Sequence, residues 1–141
     1  MKITFLKGTS FVSKLIKLWT RGSYSHAAIV FSDGISFSCA ITGEMKTCFQ
    51  NVYLDPKYWD TIEIKMSKEQ EEIIKKWCET ELDCKYDWAG IFLSQFIPLG
   101  IQSKTKWFCS EICVAALQQV GMLDGIKPYR VSPNKLSKLI R

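Results

Sequence analysis

The stretch "SHAAIVFSDGISFSCAIT", Ser25 to Thr42, decides the fold class. Two runs rich in β-branched and aromatic residues flank Asp33-Gly34, a dipeptide that tight hairpin turns favour. The reading is a β-hairpin in which His26 to Phe31 pairs antiparallel with Ile35 to Ile41. Outward from it, "KITFL" and "DTIEIKM" alternate as short strands, with Ile62 and Ile64 turned inward. A further short strand is expected around Lys46 to Phe49.

Between the strands lie helical patterns. "TSFVSKLIKLWTRG" places Val12, Leu15, Ile16 and Trp19 on one face, with Thr9 or Ser10 as cap and Gly22 as a left-handed stop. That face packs into a core or lies on a membrane surface, given its lysines. "SKEQEEIIKKWCETELD" carries a Ser67/Gln70 capping box and an inner stripe of Ile73, Ile74, Trp77, Cys78 and Leu82. Glu71–Lys75 and Glu72–Lys76 are spaced as ion pairs on its wet side. A buried helix is expected from near Asp87 to Pro98, containing Trp88, Phe92 and Phe96. "SPNKLSKLI" is a last short helix with Ser132 as cap and Pro133 at its first position. Strands without βαβ alternation, followed by helices, give an α+β fold with helices packed on an antiparallel sheet.

The chain has 141 residues, 47% of them hydrophobic and 23% charged, which suits one soluble globular domain spanning 1–141. The net charge of +5 comes partly from the ends, through Lys14, Lys17, Arg21, Lys127, Arg130, Lys135, Lys138 and Arg141. Such a surplus favours anionic partners or is simply a solvated face, and no nucleic-acid motif accompanies it. No run reaches the ~18 apolar residues of a membrane span, and the start does not read as a signal peptide. The six cysteines are therefore read as free thiols in a reducing cytoplasm. With one histidine and no C-x-x-C, neither a metal nor a cofactor is expected.

The chemistry-bearing stretch is "KWFCSEICVAALQQVG", Lys106 to Gly121. Ile112, Cys113, Ala116 and Val120 form a buried helical stripe, and Cys109 extends it at the N-terminal end. There the first-turn amides and the positive end of the helix dipole favour an anion, lower a thiol pKa and can hold an oxyanion. The only histidine, His26, opens the first hairpin strand on the same face as Ala28 and Val30. If that face meets the Cys109 helix, imidazole and thiol form a nucleophile–base pair. On spacing alone, a small core thiol and a satisfied core histidine stand as the alternative.

Taken in order, "YSHAAIVFSDG", "CKYDWAG" (Cys84–Gly90), "WFCSEICVAAL" and "YRVSPNKL" resemble the circularly permuted branch of the NlpC-type papain-fold superfamily. The N-terminal "KGTSFVSKLIKLWTRGSYSH" resembles its small phage and bacterial members, so the similarity spans nearly the whole chain. The resemblance implies a permuted papain-like fold. It implies a cysteine hydrolase with Cys109 as nucleophile and His26 as base, cleaving an amide or ester in a peptide, isopeptide or acyl-lipid substrate. Acyl transfer, as in the related lecithin–retinol acyltransferase type, is a sub-case. A catalytically weak module that binds a protein, peptide or lipid is the competing reading. A monomer is expected.

The third polar residue of that family falls at Ser38, where relatives often carry histidine or glutamate. A two-residue turn would put Cys39 and Ile41 on the His26 face, and one bulge would bring Ser38 round. Glu44 is the alternative. Ser110, Glu111 and Tyr24 are the candidate substrate-binding or oxyanion residues. Glu111 also complements the dipole, and Tyr24 equally suits packing.

Overall fold

The computed structural model describes residues 1–19, 22–39, 46–51, 53–86 and 106–141. The expected helix from Asp87 to Pro98, Glu44, Arg21 and Ile41 lie outside the described residues. The fold is α+β. Strands β1 (Lys2–Leu6), β2 (His26–Val30), β3 (Ser36–Cys39), β4 (Thr47–Gln50) and β5 (Trp59–Glu63) form one antiparallel sheet in the order β4-β3-β2-β1-β5. Two short parallel strands, β6 (Lys85–Tyr86) and β7 (Lys106–Trp107), make a separate ladder. The helices are α1 (Phe11–Trp19), α2 (Lys68–Thr80), α3 (Cys109–Gln118) and α4 (Pro133–Leu139), with a 3-10 turn at Pro128–Arg130.

Pleat alternation and the ladder registers sort the sheet residues into two faces. Leu6 opposes both His26 and Trp59, and Phe5 opposes Ala27 and Asp60. Ile3, Phe5, Ala27, Ile29, Phe31, Phe37 and Cys39 share one hydrophobic cluster with Ile74 and Cys78 of α2 and with Ile112, Cys113, Ala116 and Leu117 of α3. Phe37 and Phe49, paired across β3 and β4, bring their rings to 4.9 Å. Full burial of each such side chain is worth roughly 1.5–3 kcal/mol. The opposite face carries His26, Ala28, Val30, Ser36, Ser38 and Thr4, all buried. Thr4 satisfies its hydroxyl on the Ala28 carbonyl at 3.3 Å.

The hairpin turn differs from the two-residue form. Phe31 N–H donates to Ile35 O at 2.9 Å and Gly34 N–H to Phe31 O at 3.0 Å, so the loop is Ser32, Asp33 and Gly34. Gly34 takes φ +84°, the left-handed position that closes a three-residue hairpin loop. The added residue shifts the register to Ile29↔Phe37 and Val30↔Ser36.

Helix α2 has its Ser67/Gln70 capping box, with both bonds formed. Its expected stripe is narrower than the sequence suggests: Ile74 and Cys78 are buried, but Ile73 and Leu82 are exposed. The expected Glu71–Lys75 pair gives way to tertiary partners. Lys75 reaches Asp33 at 2.5 Å, and Glu71 accepts from both the amide and hydroxyl of Ser32. The hairpin tip thus docks on α2 and takes the charges that would otherwise pair along the helix.

At the other end, Ser10 caps α1 by accepting from Ser13 N–H at 3.2 Å. Gly22 is not in a left-handed conformation. Its glycine is required by close approach, since a Cβ there would lie 2.0 Å from the Asn134 side chain. Ser132 caps α4 through Lys135 N–H, with Pro133 at the first helical position.

Candidate active site

Cys109 is the first residue of α3 and is only 3% exposed. The residue before it, Phe108, is extended and has no side-chain acceptor, so it caps none of the first-turn amides. Glu111 instead reaches back one turn, its Oε2 accepting from Phe108 N–H at 3.4 Å, half of a capping box. Ser110 donates its hydroxyl to Val131 O at 2.6 Å. That bond ties the start of α3 to the segment leading into α4 and occupies the Ser110 side chain structurally. Its backbone amide belongs to the first turn and is the part of Ser110 suited to an oxyanion.

The chain entering α3 is fixed from two sides. Trp107 donates its indole N–H to Glu81 Oε2 at 2.8 Å, and its carbonyl accepts from Cys39 Sγ at 3.5 Å. Continued along β2 and β3, the observed register faces Cys39 with Ala27, next to His26. The N-terminal end of α3 and the His26 end of β2 therefore lie at the same end of the sheet. Helix α3 packs against both β2 and β3.

Which face of β2 meets α3 differs from the sequence-based expectation. The helix packs on the Ala27, Ile29 and Phe31 side, whereas His26 alternates to the other side with Ala28 and Val30. The imidazole lies edge-on to Trp59, ring centroids 6.2 Å apart at 78°. Its Nδ1 is buried and has no hydrogen-bond partner, so the Cys109 thiol does not reach it here. Burial pushes the His26 pKa down from 6.5 to about 4. The ring is neutral at pH 7, with one nitrogen able to accept a proton.

The three-residue turn brings Ser38 to the His26 face, opposite Ala28. The Ser38 hydroxyl accepts from Gln50 Nε2 at 3.5 Å and is not bonded to the imidazole. The structure thus shares the face but does not join the two side chains. Tyr24 is drawn into the packed side. Its ring lies 5.1 Å from Phe5, its hydroxyl donates to Asp60 Oδ2 at 2.7 Å, and Lys7 holds Asp60 Oδ1 at 2.8 Å. Lys7 first, then Tyr24, lowers the Asp60 pKa. Asn134 clasps the Tyr24 backbone on both sides, accepting from its N–H at 2.9 Å and donating to its carbonyl at 3.0 Å. Tyr24 is therefore a bridge between the sheet and α4. Trp59, Gln50 and Asp60 carry no motif that marks them in the sequence.

The six cysteines form no disulfide. Burial, as the leading cause, raises the thiol pKa of Cys39, Cys48, Cys78, Cys84 and Cys113, and the nearby Cys109 adds to the rise at Cys39 and Cys113. At all five, burial thus disfavours the thiolate. Among the described residues, no group of three His, Cys, Asp or Glu is placed to hold a metal ion, and no helix is long and apolar enough to cross a membrane. Compared with family models and with curated proteins, the sequence matches none of them.

Proposed function

We propose that the chain is a permuted papain-like, NlpC-type cysteine hydrolase that cleaves an amide or ester through an acyl-enzyme. The observation that carries this reading is Cys109 at the first position of α3, at the same end of the sheet as the only histidine. Cys109 Sγ attacks the substrate carbonyl and His26 takes the thiol proton. The developing oxyanion is held by first-turn amides that the N-cap side chain leaves uncapped. His26 then returns the proton to the leaving group, and water hydrolyses the thioester. Proton transfer requires the imidazole within hydrogen-bond reach of the thiol, so in this reading the His26 side chain swings round the end of β2 to the α3 side. The substrate classes that fit are peptides, isopeptides and acyl lipids. Six reduced cysteines suit a cytoplasmic, reducing setting.

A second reading is favoured by one specific observation, the placement of His26 on the sheet face away from α3 with Nδ1 unbonded. Under it, the fold binds a peptide or lipid without turnover. Covalent trapping separates the two. The intact protein is incubated with an activated acyl ester and weighed by mass spectrometry. The hydrolase reading expects a single acyl adduct that maps to Cys109 and is absent from Cys109→Ala. Adducts spread over several cysteines, or none, would support the binder instead.

A further inference from the structure

All fourteen acidic residues lie between Asp33 and Asp124, so neither terminal segment carries a carboxylate side chain. Each of those segments contains a helix with the same pattern. In α1 it is Lys14-Leu15-Ile16-Lys17-Leu18, and in α4 it is Lys135-Leu136-Ser137-Lys138-Leu139. The i, i+3, i+4 spacing puts Lys, Lys and Leu on one side of each helix. Lys14, Lys135 and Lys138 are exposed and Lys17 is half-buried. Leu18 is 77% exposed and Leu139 37%. Among the described residues, none of the four lysines makes an ion pair.

The two helices are joined where α1 ends and α4 begins. Gly22, whose N–H bonds Lys17 O at 3.0 Å, lies directly against Asn134, and Asn134 clasps Tyr24. Asp60, the carboxylate that Tyr24 bonds, is already held by Lys7. Two helices, each carrying lysines beside an exposed leucine, thus meet at the Gly22–Asn134 contact.

We propose that this α1–α4 surface docks the protein on an anionic lipid bilayer. Lysines seat on lipid phosphates while Leu18 and Leu139 enter the headgroup–acyl boundary, the division of labour of an interfacial helix. A nucleic acid would use the lysines but gain nothing from solvent-facing leucines. The proposal rests on the lysines and leucines and stands whether or not Cys109 turns over a substrate.

Co-sedimentation of the full chain with vesicles tests it. Vesicles of phosphatidylcholine mixed with phosphatidylglycerol should pellet the protein, and vesicles of phosphatidylcholine alone should not. Raising the salt concentration should weaken the binding. The double substitution Lys14→Glu/Lys138→Glu should weaken it by more than about tenfold. Leu18→Ser/Leu139→Ser should weaken it by about tenfold with an unchanged circular dichroism spectrum. Lys76→Glu, on the exposed side of α2, should leave it intact. No pelleting with anionic vesicles would overturn the proposal. So would binding that survives both double substitutions, or binding that ignores the leucines and is competed away by duplex DNA.

Discussion

Cys109→Ala is expected to lower hydrolysis of a responsive ester or amide by at least about a thousandfold, the loss that follows removal of a nucleophile. The fold should survive. The thiol is small, and its loss leaves the core of α3 at Ile112, Cys113, Ala116 and Leu117 in place. His26→Ala should cost about 10²–10⁴-fold, the span of a general base. The two effects should not multiply, because a base has nothing to deprotonate once the thiol is gone. A panel of p-nitrophenyl esters and short peptide amides, assayed with both single variants and the double, supplies the measurement. Full activity in Cys109→Ala would remove this residue from the chemistry.

Between pH 6.5 and about 4, acid should destabilise the protein through His26. In the unfolded chain the imidazole titrates near 6.5, whereas burial holds it neutral in the fold down to about 4. Between those values the unfolded state binds the extra proton. Stability is therefore fully present above pH 6.5 and falls as the pH drops towards 4, by at most about 3 kcal/mol. His26→Gln should remove that slope. The carboxylates with lowered pKa, such as Asp33 and Asp60, lose their contribution at lower pH in both proteins, so the difference isolates His26. Urea unfolding of the two proteins across this range gives the result. A preformed thiolate–imidazolium pair would raise the His26 pKa and reverse the sign, which would contradict a neutral ring with its Nδ1 unbonded.

Much of the architecture is legible in local pattern. The alternation of "KITFL", the Ser67/Gln70 box and the Ser132-Pro133 start each find their element, because each depends on neighbours in sequence. Failures occur where distant partners decide. Asp33-Gly34 fits both a two-residue and a three-residue loop, and one residue of difference moves Ser38 to the other face. Both faces of β2 are apolar and all five residues are buried, so alternation carries no sign of which side α3 would choose. Lys75 pairs with Asp33 and not with Glu71, because the hairpin tip folds back onto α2. Gly22 reads as a helix stop, yet its constraint is Asn134, far away in the chain. At the site, the position of Cys109 at a helix start is legible from "KWFCSEIC", whereas the environment of His26 belongs to Trp59 on β5.

The most direct test of the central claim is the rate at which each cysteine is alkylated by iodoacetamide, mapped by peptide mass spectrometry near neutral pH. The five other thiols are disfavoured as thiolates by burial, so one fast site is expected, at Cys109, where the first-turn amides of α3 favour the thiolate. Slow and uniform labelling of all six would contradict it.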